Sequence, residues 1–293
     1  MKATLDCLEC IASQALRAAR VATRDPNLQR KILNETLKRI PDLDMDRSPA
    51  ELSLVAYELA SQLSGVADPY RALRKAQNEF ALRLEPELRE RVRNSEDPLA
   101  TALHLSAAGN VIDLGVQESG SIDLYAAIEQ VMSERFAVDH TEAFRESLAQ
   151  CDDLVFLLDN AGEIVFDKIL IEELIAYANV TAVVKAGPII NDALLEDAEQ
   201  VGLTAICEVI DNGGAFVGSP LELVPASFVQ RLQRADVIVG KGQGNYETVD
   251  SFPGDVFLIL RAKCEVIAQH MDVQYGQVAL ISTRVRRHPA TGS

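Results

Sequence analysis

The 293-residue chain, 48% hydrophobic and 25% charged, has the make-up of an ordinary globular protein of one large domain or two smaller ones, which excludes disorder, collagen-like sequence and a small disulfide scaffold. Its 28 Lys and Arg against 44 Asp and Glu leave a net charge of −16; that field repels the nucleic-acid backbone and the anionic face of a membrane, so neither is expected as a partner. A small phosphorylated substrate stays compatible with the charge where a metal ion or a few local cations overcome it.

From Leu5 to Arg24 apolar residues recur at helical spacing, at Leu5, Leu8, Ile11, Ala12, Ala15, Leu16 and Ala19. Lys2, Asp6, Glu9, Arg17, Arg20 and Arg24 interrupt any signal-like apolar stretch. With no run near the roughly 18 apolar residues of a membrane span, the cytoplasm is the expected location. The same periodicity predicts helices over 28–39, 49–63, 69–81, 84–92, 122–135 and 141–149, so residues 1–150 read as a helical domain. Asp25-Pro26, Ser48-Pro49, Asp68-Pro69 and Asp97-Pro98 mark four helix starts, because Asp or Ser can cap and proline is tolerated in a first turn. Ala107-Ala108-Gly109-Asn110 closes one helix. Beyond residue 150, short apolar runs at 154–158, 180–184, 205–210, 236–239, 256–260 and 277–282 alternate with helical patterns at 163–178, 191–201, 225–234 and 263–270. Runs this apolar suit strands buried on both faces, so 151–293 is expected to be an α/β domain with a doubly wound, mainly parallel, Rossmann-like sheet. The basic tail 284–293 is expected to fray.

In such sheets ligands bind beyond the carboxyl ends of the strands. The residues just past the predicted strands are Asp159-Asn160, Lys185, Asp211-Asn212-Gly213-Gly214, Lys241-Gly242-Gln243-Gly244-Asn245, and Arg261 with Lys263. Asp159 and Asn160 offer hard oxygen ligands of the kind Mg²⁺ or Mn²⁺ prefers, and Asp192 is the natural third from the neighbouring loop. Each also has a plainer reading, with Asn160 and Asp192 as caps of the helices that follow. Glu163 and Asp167 could hold a metal-bound water or complement the helix dipole, the dipole or a salt link being favoured for Asp167. Lys185, Lys241, Arg261 and Lys263 supply the positive charge that phosphoryl transfer needs, and the glycines at 242 and 244 let backbone N–H groups approach an anion.

Other chemistries lack a signature. There is no P-loop, no third glycine of a dinucleotide fingerprint and no nucleophile elbow. His104, His140, His270 and His288 form no spaced pair, and the five cysteines are scattered and odd in number, which favours reduced thiols. Cys7 and Cys10, at i and i+3 in a helix, read first as small core residues.

Four segments taken together are more specific: Asp159-Asn-Ala-Gly-Glu163-Ile-Val-Phe-Asp167-Lys, Lys185-Ala-Gly-Pro-Ile-Ile-Asn191-Asp192-Ala, Gly242-Gln-Gly-Asn245-Tyr246-Glu247-Thr248 and Arg261-Ala-Lys263-Cys. In this order they resemble the metal-dependent damage-control phosphatase family, long known as the domain of unknown function DUF89, with its ARMT1-like metal-binding domain. Cys7-x-x-Cys10, Asp68-Pro69-Tyr70 with Lys75, and Ala108-Gly109-Asn110-Val-Ile-Asp113 look like its microbial, cysteine-motif branch. The resemblance implies Asp159, Asn160 and Asp192 as ligands of one divalent ion (Mn²⁺, Mg²⁺, Co²⁺ or Ni²⁺). It also implies substrate contacts from the Gly242–Glu247 loop, including Gln243, Gly244, Asn245 and Glu247, and from Lys263. Lys185, Asn191 and Lys241 complete the expected substrate-binding set, with Asp159 and Lys263 as catalytic residues. The expected activity is hydrolysis of small phosphorylated metabolites, either sugar phosphates or damaged phospho-metabolites. Asp159 could instead be a nucleophile, but Ala161 stands where a phosphoaspartate mechanism of the haloacid dehalogenase type wants its acid–base aspartate. The rival readings are a non-catalytic module in which Cys7 and Cys10 chelate a soft ion, and a methyltransferase on the same architecture.

Overall fold

The computed structural model describes residues 1–109 and 124–287. Helices α1 (Leu5–Ala22), α2 (Pro26–Arg39), α3 (Pro49–Ser64), α4 (Arg71–Arg93), α5 (Pro98–Ala108), α6 (Leu124–Ser133) and α7 (Thr141–Leu148) come first. An alternating series follows: β1 (Asp153–Leu157), α8 (Glu163–Leu174), β2 (Asn179–Val184), α9 (Leu195–Gln200), β3 (Glu208–Asp211), α10 (Ala226–Arg234), β4 (Val237–Lys241), α11 (Gly242–Val249), β5 (Val256–Arg261), α12 (Glu265–Met271), β6 (Val278–Ser282) and α13 (Thr283–Arg287). The expected Asn110–Asp113 motif and His288 lie outside the described residues.

The six strands form one sheet in the order β3-β2-β1-β4-β5-β6. Strands β1 to β5 pair in parallel and β6 runs antiparallel to β5. Chain order reverses between β1 and β4, which makes their carboxyl ends the switch point where the connecting loops diverge and leave a crevice.

Local chemistry sets three of the four helix starts marked by Asp-Pro or Ser-Pro. Asp25, Ser48 and Asp97 accept first-turn N–H groups from Asn27, Glu51 and Ala100, each followed by the expected proline. Asp68-Pro69 behaves differently: the helix begins at Arg71, and both Asp68 oxygens accept from the Arg74 guanidinium at 2.9 Å. An ion pair with a buried arginine has taken the carboxylate away from the cap. The segments expected as 69–81 and 84–92 are one helix running through Pro86, because Leu84, Leu88 and Val92 continue its buried stripe into the main core. The first residues of the expected frayed tail are also docked: α13 lays Arg287 against the Phe252 and Gly254 carbonyls at 2.8 and 2.9 Å.

The core runs across residue 150. Ala81, Leu84, Leu88, Leu103 and Leu105 of α4 and α5 share one apolar cluster with Phe156, Phe166 and Phe257. The change at residue 150 is therefore one of secondary-structure pattern and not a break in packing. Helices α1 to α3 instead pack among themselves through two small clusters, Ile11, Ala15, Leu52 and Ala56, and Ala18, Ala19, Ile32 and Ala60.

Candidate active site

A cavity of about 400 Å³ opens beyond the carboxyl ends of β1, β2, β4 and β5, with α1 and α3 as its opposite wall. Of the residues singled out in the sequence, Asp159, Asn160, Asn191, Asp192, Gln243, Gly244, Glu247 and Lys263 line it, together with Asp6, Cys7, Cys10, Gln14, Tyr57 and Cys264 from the helical wall and the α12 N-terminus.

Backbone pairing brings the acid–amide–acid set together. The loop after β1 and the loop after β2 form a short bridge between Asn160 and Asp192, with Ala193 N–H donating to the Asp159 carbonyl at 2.8 Å and Ala161 N–H to that of Asn191 at 2.9 Å. The Asn160 amide donates to Asp159 Oδ2 at 2.9 Å. Neither Asn160 nor Asp192 is a helix cap. Gly162 occupies the N-cap of α8, and Asp197 accepts the Leu194 N–H at the start of α9. Burial, then the charges of Asp192 and Glu163, push the Asp159 carboxyl well above the usual range, with Lys263 and Lys185 opposing them. Two buried carboxylates and an amide oxygen are a donor set that could hold a hard divalent cation, whose charge would relieve that repulsion. Among the described residues no three Cys, His, Asp or Glu side chains gather as a metal cluster; the third donor here is the amide.

Gly242 is required beside Asp159. Its φ is +76°, and a Cβ there would lie 1.8 Å from Asp159 Oδ2. The segment expected as a glycine loop is the opening turn of α11, which leaves β4 with no intervening residue. Gln243 bridges the rim, donating to Glu247 Oε1 at 2.9 Å and accepting the Lys263 N–H at 3.3 Å. Burial raises the Glu247 carboxyl to about 7, against the hydrogen bonds from Gln243 and the Ala50 N–H. The Lys263 side chain is exposed at the rim.

Four residues of the expected substrate-binding set, Lys185, Lys241, Gly242 and Asn245, do not line the cavity. Lys241 is 0% exposed, and its ammonium donates to Glu163 Oε1 at 2.6 Å, Asp167 Oδ1 at 2.7 Å and the Ser106 carbonyl at 2.9 Å. Ending a central strand, it faces α5 and α8 instead of the cavity. Burial works against this ammonium, yet Asp167 and Glu163 hold its pKa above the lysine value. Burial also lifts Asp167 to about 7 despite Lys241 beside it. The Asn245 amide donates to the Leu158 and Lys241 carbonyls at 3.1 and 2.8 Å, tying α11 to β1. Gly242 backs Asp159 without lining the cavity, and the Lys185 ammonium is buried 3.5 Å from Asp192 Oδ2. Arg261 also stays out of the cavity, 3.9 Å from Glu134.

The helical half contributes a clasp not anticipated from sequence. On α4, Asn78 Oδ1 accepts the Gly162 N–H at 2.7 Å while its amide donates to Asp197 and Gln200 at 2.8 and 2.9 Å. Gln77 Oε1 accepts from Asn191 at 3.1 Å. Arg74, 1% exposed, is held by Asp68, Glu196 and Asp197. One helix thus grips both loops of the acid–amide–acid set. The signal was legible: Arg74, Gln77 and Asn78 fall on the same stripe as Ala81, Leu84 and Leu88, and polar residues on a core stripe need buried partners.

The chain matches the profile of the damage-control phosphatase ARMT1-like domain over residues 3–278. It is 32% identical over 291 residues to a damage-control phosphatase of Pyrococcus horikoshii, covering 98% of this chain and 100% of that protein. A damage-control phosphatase of Archaeoglobus fulgidus is also 32% identical, over 284 residues, 95% of this chain and 98% of the relative. The crystal structure of a DUF89 family protein from Pyrococcus horikoshii matches with a TM-score of 0.88 at 30% identity, over 97% of this chain and 99% of that one. With the profile matched over residues 3–278 and the fold matched over nearly the whole chain, the chain belongs to the damage-control phosphatase ARMT1-like family.

Proposed function

We propose that the protein is a divalent-metal-dependent phosphatase of small phosphorylated metabolites, sugar phosphates or damaged phospho-metabolites, acting in the reducing cytoplasm. The observation that carries this reading is the meeting of Asp159, Asn160 and Asp192 on the cavity wall, with Lys263 at the same rim. These three residues would hold one ion of the Mn²⁺, Mg²⁺, Co²⁺ or Ni²⁺ type. When bound, the ion supplies Lewis-acid polarisation of a phosphoryl oxygen.

The chain's own groups do the rest. Lys263 draws the phosphate dianion into a strongly acidic protein, and Gln243 and Gly244 at the start of α11 orient it. Gln243 and Glu247 present hydrogen-bonding groups for the hydroxyls of the leaving alcohol. Water is the inferred nucleophile, since the position two residues after Asp159 is the buried Ala161 and carries no acid.

Phosphate release from a broad phosphomonoester panel, with each of the four ions and with chelator, tests the reading. Turnover that appears with metal and vanishes with chelator is expected, and no release under any condition would sink it. Asp192→Asn should weaken metal binding about 10-fold or more while the chain still folds, with any loss in melting temperature coming from the buried Lys185 ammonium deprived of that carboxylate. Unchanged metal affinity with a lowered melting temperature would make Asp192 structural.

A further inference from the structure

Three of the five cysteines converge on the candidate active-site cavity from two distant stretches of chain: Cys7 and Cys10 in α1, and Cys264 at the N-cap of α12. Cys151 and Cys207 do not line it. All five are free thiols, Cys7 buried and Cys10 exposed. The first-turn sulfur of Cys7 accepts the Thr4 N–H at 3.4 Å and lies 3.6 Å from the Thr4 hydroxyl. The Cys10 sulfur accepts from the Gln14 amide at 3.2 Å, and Gln14 Oε1 in turn accepts the Tyr57 hydroxyl at 3.2 Å. Gln14 and Tyr57 line the same cavity, so this relay runs from Cys10 on α1 to α3 along the wall facing Asp159 and Asp192.

We propose that Cys7 and Cys10 form a reversible thiol–disulfide site in the cavity wall, which takes a low-molecular-weight disulfide of the glutathione class and closes down substrate access when oxidised. The exposed Cys10 thiolate attacks one sulfur of the incoming disulfide, forming a mixed disulfide and expelling one small thiolate. The Cys7 thiolate then attacks the Cys10 sulfur, forming the Cys7–Cys10 bond and expelling the second small thiolate. Two protein thiols are oxidised, one small disulfide is reduced to two thiols, and the two protons end on those products.

Helix geometry favours a bond that is easily reversed. Residues at i and i+3 have Cβ atoms roughly 5–6 Å apart, beyond the roughly 3.5–4.5 Å of a relaxed disulfide, so the opening turns of α1 must tighten to close it. A strained disulfide of this kind is readily reduced, as suits a transient oxidation in a reducing compartment. Closure takes the Cys10 sulfur from Gln14 and the Cys7 sulfur from Thr4, and so rearranges the α1 wall of the cavity.

The chemistry of the pair stands apart from the proposed activity, while its effect on turnover rests on the phosphatase reading. The full chain, with and without Mn²⁺, is titrated with glutathione disulfide. Differential alkylation with peptide mapping reports the bond, and phosphate release reports turnover. Cys7 and Cys10 are expected to lose alkylation together, with turnover falling by roughly tenfold and returning with dithiothreitol. Cys7→Ser should trap glutathione on Cys10, and Cys10→Ser should take up none, whereas Cys151→Ser and Cys207→Ser should behave as wild type. Cys7 and Cys10 that stay alkylatable, or a bond that joins Cys10 to Cys264, overturn the site. Full oxidation with unchanged turnover overturns its link to the cavity. A bond that forms in protein with no turnover even when reduced leaves the thiol site standing and refutes the phosphatase reading instead.

Discussion

The two walls of the cavity are built in different ways. The sheet side rests on one large continuous core, in which Phe156, Phe166 and Phe257 pack with the leucines of α4 and α5. Its polar residues stand on the loops after β1 and β2, on the short link between β5 and α12, and on α11, which follows β4 with no intervening residue. The α1–α3 side packs through two small clusters rich in alanine and reaches the cavity with Cys7, Cys10, Gln14 and Tyr57. Asp159, Asn160 and Asp192, the proposed oxygen donors, thus sit on the deeply packed wall, held from behind by buried ion pairs and the α4 clasp. On the proposed reading, the lightly packed wall is the one that faces the leaving alcohol.

The largest test of that contrast lies under the sheet wall. Lys241→Met strands Glu163 and Asp167 in a dry site and should cost about 3–5 kcal/mol of stability, read as a lower denaturation midpoint. A midpoint close to wild type would mean that the buried charges are not what fixes the β4–α11 joint.

Next in size is a pH effect at the rim. The Glu247 carboxyl rises from 4.5 to about 7 on folding, so the folded state holds its proton more tightly than the unfolded chain. Its contribution is fully present below pH 4.5 and is lost as pH climbs to about 7, on the order of 3 kcal/mol in all. Glu247→Gln should remove that fall from the stability–pH curve. An identical slope in the variant would assign the dependence to other groups.

The α4 clasp comes third. Asn78→Leu leaves the Gly162 N–H and the Asp197 and Gln200 oxygens without their partner, and should cost about 2 kcal/mol. It should also weaken metal binding by roughly 10–100-fold, since the loop carrying Asp159 and Asn160 loses its anchor. Calorimetric titration of the metal beside a thermal melt separates the two effects, and lost stability with intact metal affinity would reduce the clasp to a structural role.

The smallest effect belongs to the other wall. Tyr57→Phe removes one hydrogen bond to Gln14 and should cost about 1 kcal/mol or less. It should raise KM for phosphomonoesters while metal affinity stays unchanged. A loss of metal affinity here would show that the two walls are coupled more tightly than their packing implies.

The acid–amide–acid set was legible because a parallel strand of five or six apolar residues ends abruptly, and whatever polar residue follows must stand at the sheet rim. Asp159, Asn160 and Lys263 could be placed that way. The same reasoning misplaced Lys241 and Asn245. Both follow or end a strand, but a side chain there can turn to either face, and only the neighbouring layer decides: Glu163 and Asp167 on α8 draw Lys241 inward, and the β1 carbonyls draw Asn245.

What the sequence alone determined was the periodicity: helices first, then alternating strands and helices, with three of four Asp/Ser-Pro starts capped as their local chemistry requires. Those are short-range effects, settled within a turn or a strand. Tertiary structure decided the contacts made across more than a hundred residues. It turned Arg74 to Asp197, Gln77 to Asn191 and Lys241 to Ser106, and brought Cys7 and Cys10 to the wall opposite Asp159. The stripe on which Arg74 and Gln77 lie shows that they need buried partners, but their neighbours in sequence carry no record of which distant residues supply them.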